Sequence, residues 1–318
     1  MKKLLSILIF LLLSTTFAQT FPVTVTDSFG HELTFDAPPE RMVCLVVHCI
    51  TVMSFIEEAP DAIVRFPDGF NDVIFDERYF EQPQDDVALI PTLGDTFEQD
   101  YEAILSFEPD FAFVNNSEQY DALSGFVSTY QQNFEADPLE LFFLDVRNMA
   151  RIYGKEAEVE AKIQALLDRA EAYGTVSESS KTFLNGFAWD DELSSMQLWT
   201  YDIACPFLVP EDACYSGGEF TAEGVLEINP DVLIIEVVTE EDAANVQRAF
   251  EEDPLWAELP AYQNDQVLII NRVTDIARPT TPKAFELWLD FVVPLMYPEA
   301  FPNGPLTDEQ VQEILANQ

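Results

Sequence analysis

The chain has 318 residues, room for two domains of ordinary size, and its 48% hydrophobic and 13% aromatic content is that of a globular protein rather than a disordered one. It carries 58 acidic residues against 15 basic ones, a formal net charge of −43. That balance excludes nucleic acid and anionic membranes as partners; it reads as a solvated acidic coat, with steering of a cationic ligand as the alternative.

Lys2 and Lys3, an apolar run over residues 4–13 and the small-residue site Thr16-Phe17-Ala18 read as a secretory signal peptide (residues 1–18) cleaved after Ala18. The apolar run is about half of what spans a bilayer, and no cysteine follows the cleavage site to carry a lipid. The expected mature protein is periplasmic, with 13 basic residues against 58 acidic ones, a net charge of −45.

Residues 21–35 (FPVTVTDSFGHELTF) alternate about a turn at 27–30 and predict a hairpin, with His31 just past the turn as an exposed or strand-edge histidine. Residues 37–41 (APPER) are an extended entry, because proline forbids helix there. The continuous apolar run 42–47 predicts a buried parallel strand, and 48–56 a helix. His48 therefore sits where a strand gives way to a helix, the end of an open α/β sheet at which ligands bind. A short strand is expected at 62–66, then a polar and aromatic loop at 67–83. Residues 101–114 (YEAILSFEPDFAFV) read as helix, Pro-Asp turn and buried strand, ending at Asn115 and Asn116. Another short strand is expected at 141–144. Residues 146–173 are helical with an interruption at Gly154, and 155–173, free of Gly and Pro, make a strong helix on the order of 28 Å long until Gly174. Strands follow at 182–189 and 196–201, a helix and buried strand at 222–235 (AEGVLEINPDVLII), a helix at 242–250, a strand at 267–270 and a long helix at 284–296. The terminal helix opens with a capping-box pattern, Thr307 to Gln310.

Segments 101–114 and 222–235 are one pattern written twice. Glu102 and Glu223, Leu105 and Leu226, Pro109 and Pro230, and Asp110 and Asp231 all correspond at an offset of 121. A helix feeding a buried strand is half of an α/β crossover unit. Its repetition predicts two α/β lobes, residues 19–145 and 177–318, joined by a stiff helix over 146–176. Two lobes imply a cleft, and a cleft implies a ligand.

Cys205 and Cys214 flank an irregular, proline-containing stretch and are expected to form a disulfide that pins a loop. Cys44, in the predicted strand, and Cys49, just past its end, read as two buried thiols, with a bridge between them as the alternative. The cysteine spacing matches no zinc motif. The chain contains no Gly-x-Ser-x-Gly elbow, no His-Glu-x-x-His and no P-loop, and its 2 histidines leave few general bases, so an enzyme is not expected.

The hairpin followed by APPERMV resembles the opening of the class III periplasmic substrate-binding proteins of ABC importers, which carry ferric siderophores, cobalamin and haem. Residues 253–272 (DPLWAELPAYQNDQVLIINR) and 277–282 (ARPTTP) are similar to that family's second-lobe segments, so the resemblance covers nearly all of the mature chain. It implies two Rossmann-like lobes bridged by a single long α-helix, a monomer, and a ligand that is a metal chelate: a ferric siderophore first, cobalamin or haem next. It also implies that Glu102 and Glu223, one on each lobe, dock into basic pockets of a membrane permease. The stretch 46–51 (VVHCIT) departs from the family's Ser-Pro-containing loop, which loosens any transfer of ligand identity. A bilobed extracytoplasmic sensor would share the same pattern.

The ligand candidates lie at strand carboxyl ends: His48, Phe66, Asn115, Asn116 and Tyr120 in the first lobe, and Trp189, Tyr201, Thr274 and Arg278 in the second, with Arg65 and Arg272 beside them. Aromatic rings would supply flat apolar area, and Arg278 could pair with carboxylate or catecholate oxygens. His48 could ligate haem iron or a corrinoid cobalt, although a lone histidine more often serves structure. Core packing is the competing reading for the aromatics, and a surface ion pair for Arg278.

Overall fold

The computed structural model describes residues 20–57, 63–68, 92–95, 99–132, 139–178, 180–188, 195–198, 205–208, 218–237, 240–271 and 281–317. The expected signal peptide lies outside them.

The chain opens with the hairpin β1 (Val23–Thr26) and β2 (Glu32–Phe35), whose alternating pattern turns Val23, Val25, Leu33 and Phe35 inward. Its turn is built on Asp27, whose carboxylate accepts from the backbone N–H groups of Phe29 and His31 at 3.0 and 2.9 Å. Gly30 takes φ +88°, a conformation other side chains resist.

Five strands form the first sheet: β3 (Met42–Cys44), β4 (Ile63–Asp68), β5 (Thr92–Asp95), β6 (Phe111–Val114) and β7 (Ser128–Gln131). They are parallel, in the order β5-β4-β3-β6-β7. Helix α1 (Val47–Phe55) follows β3, α2 (Tyr101–Ser106) precedes β6, and α3 (Ser117–Leu123) joins β6 to β7. Side chains start two of these helices: Asp100 accepts from Ala103 N at 3.0 Å and Asn116 from Gln119 N at 2.9 Å.

Three helices then cross to the second half: α4 (Leu139–Phe142), α5 (Leu144–Tyr153) and α6 (Glu156–Ser177), the last two separated by Gly154 in the left-handed region. With 22 residues α6 is about 33 Å long, and it packs against α5. The strand expected at 141–144 is instead the end of α4 and the start of α5. A four-residue apolar run does not by itself distinguish strand from buried helix. Here β7 occupies the sheet edge, and Phe142 packs edge-on against Phe143 and against Phe285 of a later helix.

The second sheet contains β8 (Phe183–Ala188), β9 (Ser195–Leu198), β10 (Gly218–Thr221), β11 (Val232–Val237) and β12 (Val267–Asn271) in the order β10-β9-β8-β11-β12. Strands β8, β11 and β12 are parallel, and β9 runs antiparallel to both its neighbours. The remaining helices are α7 (Cys205–Leu208), α8 (Ala222–Ile228), α9 (Glu240–Glu252), α10 (Pro254–Ala257), α11 (Pro260–Gln263), α12 (Pro282–Met296) and α13 (Asp308–Ala316). The expected capping box is present at the start of α13.

Strands β3 and β6 are apolar on both faces, and β11 is so up to Glu236, as suits buried parallel strands. In the first sheet Val43, Ala112 and Val114 face one small core with Ile104 and Leu123. In the second, Leu233 and Ile235 face another with Phe250 and Trp256. The opposite faces, Met42, Cys44, Phe111 and Phe113 on one sheet and Phe183, Val232 and Ile234 on the other, belong to one shared core with α1, α5, α6 and α12. Arg169 of α6 locks this assembly: its guanidinium donates to Asp290 of α12 at 2.6 and 2.9 Å and to the Leu306 carbonyl at 2.6 Å.

Candidate functional site

Each sheet reverses its strand order once. In the first, the chain builds β4 and β5 to one side of β3 and then crosses to lay down β6 and β7 on the other. In the second, β9 and β10 lie on one side of β8, and β11 and β12 on the other. Connections diverge at such points, leaving a crevice at the strand carboxyl ends. The crevice of the first sheet lies between the residues after Cys44 and those after Val114. In the second sheet the reversal falls between the neighbouring parallel strands β8 and β11.

This places His48, Asn115 and Asn116 at the first switch point. His48 stands in the first turn of α1; its side chain is buried, with the residue 8% exposed, and its carbonyl accepts from Thr51 Oγ1 at 2.8 Å. Cys44 and Cys49 are not two thiols but a disulfide, with Cα atoms 5.8 Å apart. Strand β3 ends at Cys44, earlier than its apolar run suggests, and Cys49 lies in the first turn of the helix that follows, bonded back to the strand end. Across the crevice the amides bond one another. Asn116 Nδ2 donates to Asn115 Oδ1 at 2.8 Å, and Asn115 N donates to Gln119 Oε1 at 3.0 Å.

Tyr120 is stacked on His31, ring centroids 3.7 Å apart and planes within 13°. His31, expected to be exposed or at a strand edge, is half-buried, and its Nδ1 lies 2.8 Å from Asp27 Oδ2. Burial, and then the Asp27 carboxylate, pushes the Tyr120 hydroxyl above its ordinary pKa. Asp27 also accepts from Gln131 N at 3.1 Å, which ties the hairpin to the carboxyl end of β7.

Sequence reasoning missed two polar features near the switch points. Gln131 and Gln132 close β7 with both side chains buried, and neither Oε1 has a hydrogen-bond partner among the described residues. Asn185 of β8 and Glu236 of β11 are buried on neighbouring strands; Asn185 pairs with Ile234, so Glu236, fully buried, lies two residues further along the same face. The available signal was an acid inside the apolar run VLIIEV and a pair of glutamines ending STYQQ.

Phe66 lies in β4, with its side chain outside the description. Trp189, Tyr201, Thr274, Arg272, Arg278 and Cys214 lie outside the described residues, and of Cys205 only the backbone, in α7, is described. Among the described residues no group of three His, Cys, Asp or Glu side chains could hold a metal ion, and no helix is long and apolar enough to cross a membrane.

No protein-family profile matches the chain. Over 274 residues it is 21% identical to the Fe(3+) dicitrate-binding periplasmic protein FecB of Escherichia coli, covering 81% of this chain and 85% of that one. Its coordinates superpose on a periplasmic binding protein of Veillonella parvula with a TM-score of 0.69, at 18% identity, covering 90% of this chain and 95% of the other. A protein of an ABC-type Fe3+-hydroxamate transport system from Saccharomonospora viridis gives 0.65 at 20% identity, over 88% and 99%. The chain carries the class III periplasmic binding-protein fold. Its relatives are binding proteins and not enzymes. Within this fold Glu102 and Glu223 are equivalent: each is exposed, in the first turn of α2 or α8, one residue into a helix capped by Asp100 or Thr221.

Proposed function

We propose that the protein is the extracytoplasmic binding component of an ABC importer, that it captures a ferric chelate of the siderophore class between its lobes, and that it presents the chelate to a membrane permease. The observation that carries this reading is the single reversal of strand order in each sheet of a fold shared along most of its length with proteins described by ferric chelates. A ferric siderophore stands ahead of cobalamin and haem because two of the relatives named above are described by a ferric chelate, dicitrate for FecB and hydroxamate for the Saccharomonospora viridis protein. The lobes are residues 19–145 and 177–318, joined by the helical segment 146–176. Support for the join comes from α6, which packs on α5 at one end of its sequence and on α7, α12 and α13 besides.

In this reading His48, Phe66 and Asn115 serve the first-lobe wall, with Tyr120 and its His31 partner at the rim. Trp189, Tyr201 and Arg278 serve the second-lobe wall. The described cations favour a role for the remaining arginines. Arg147, Lys162, Arg169 and Lys283 are paired with acids, and Arg41, Lys155 and Lys181 donate to backbone carbonyls. An anionic chelate approaching a chain of this charge needs cationic partners, and Arg278, Arg272 and Arg65 are the candidates in this reading. The Cys205–Cys214 bridge would pin the loop beside that wall. Glu102 and Glu223 form a two-point acidic address for a basic permease surface.

The test is native mass spectrometry with absorbance scans after incubation with ferric dicitrate, a ferric tris-hydroxamate, a ferric tris-catecholate, cobalamin and haemin. A ferric chelate is expected to bind tightly. Failure of every iron chelate to bind below about 10 μM, roughly −7 kcal/mol, overturns the proposal.

A further inference from the structure

The turn that carries His48 lacks the usual chemistry of a helix start. Helix α1 begins behind Val46, whose side chain makes no capping hydrogen bond, and no acidic residue stands in its first turn. The neighbouring starts of α2, α3 and α8 are each closed by a side-chain oxygen, from Asp100, Asn116 and Thr221. At α1 the closure is covalent. Cys44, the last residue of the central strand β3, is bonded to Cys49 in the first turn of the helix, and both residues are fully buried. The strand side of the bridge is fixed by its neighbours: Cys44 is in register with Phe113 of β6, and Leu45 N continues the ladder to Phe113 O at 2.9 Å. The helix side rests on the core, with Met42 Sδ 3.5 Å from Cys49 Sγ. The bridge encloses Leu45, Val46, Val47 and His48.

We infer that the Cys44–Cys49 disulfide is the positioning device for His48. It ties the start of α1 to the end of β3 and holds the imidazole at the switch point of the first sheet, where that ring contributes to the wall that meets the bound chelate. The inference rests on the functional reading of His48 given above. An oxidising compartment supplies the condition for the bond.

The mature chain has two histidines, so its imidazole NMR spectrum carries one signal for the site and one internal control. His31 is the control, held by Asp27 and Tyr120. In ligand-free protein, the pair Cys44→Ala/Cys49→Ala is expected to shift or broaden the His48 resonance and leave that of His31 in place; His48→Gln assigns the signals. If the alanine pair does not fold, Cys44→Val/Cys49→Ala keeps a strand-forming residue at the first position. An unchanged His48 resonance overturns the inference whatever the ligand proves to be. With ferric dicitrate, a ferric tris-hydroxamate and a ferric tris-catecholate as probes, His48→Gln and the cysteine pair should each weaken binding by about tenfold. The triple variant should be no weaker than His48→Gln alone, because the bridge acts through that ring. Additive losses assign the bridge to general stability and overturn the positioning role. If His48→Gln leaves the affinity of every probe that binds unchanged, the functional half falls, and the resonance still decides the structural half.

Discussion

Asp110 and Asp231 perform the same task in the two halves of the molecule. The Asp110 carboxylate accepts from the backbone N–H groups of Glu40 and Arg41, both at 2.9 Å, immediately before β3. The Asp231 carboxylate accepts from Thr182 N and Thr182 Oγ1 at 2.8 and 2.9 Å, immediately before β8. Each aspartate starts one strand and fastens the entry of the central strand beside it. Asp110→Ala and Asp231→Ala should therefore each cost about 1–2 kcal/mol, the range for a charge-assisted hydrogen bond lost near the surface. The residues share no partner, so the losses should add in the double variant. Urea midpoints of the two single variants and the double variant measure this.

Asp27 is the more demanding position. Its buried carboxylate accepts from Phe29 N, His31 N, His31 Nδ1 and Gln131 N, joining the hairpin turn to the end of β7. Asp27→Ala leaves several donors without an acceptor and should destabilise the fold by about 3 kcal/mol. His31→Ala removes one half-exposed ring and should cost about 1 kcal/mol, in the range of a partly exposed pair. A ranking in which His31→Ala is the more damaging variant would contradict this account of the turn.

Alkaline pH should reach the core through Tyr130. Its hydroxyl donates to Asp145 at 2.7 Å and accepts from Asn148 at 2.9 Å. Full burial, then the Asp145 charge, pushes its pKa well above the tyrosine value. The folded chain thus keeps a proton that the unfolded chain begins to release at about pH 10, so this group's contribution is complete below that pH and declines above it. Tyr173, raised by burial and by Asp290, acts in the same direction. Stability measured by denaturant between about pH 9 and 11 should fall in the parent chain and fall less steeply in Tyr130→Phe. That variant should also lose about 1 kcal/mol at neutral pH.

Charge reversal separates docking from capture. Glu102→Lys and Glu223→Lys, on exposed first turns, should abolish chelate uptake by cells while leaving chelate affinity of the purified protein within about twofold. Loss of affinity in solution would put these residues in the cleft.

The two-lobed architecture was legible because its signals are local. A Pro-Asp turn between an amphipathic helix and an apolar run reads the same way at Pro109 and at Pro230, and the structure gives both copies the same hydrogen-bonding aspartate. The end of β3 was less legible. Its apolar run continues past Cys44 without a polar residue to mark where strand becomes helix, so the bridging of Cys44 and Cys49 depends on a boundary that the pattern does not contain. The run at 141–144 was ambiguous for the related reason that four apolar residues fit either period. The stacking of Tyr120 on His31 joins residues far apart in the chain and left no mark in either local sequence.

The unlike pairing of the two sheets bears on how an exported chain would acquire its structure. The central strand β3 gains its β6 neighbour only when the chain has run from Cys44 to Phe111, whereas β8 meets β9 across the short stretch from Ala188 to Ser195. Closing a longer loop costs more entropy, and pairings distant in sequence slow folding. The half of the molecule that emerges last is thus the half with the easier nucleus. In the first half β3 can pair early with β4, but its other edge stays open until β6 is made, and the Cys44–Cys49 disulfide lies beside this strand.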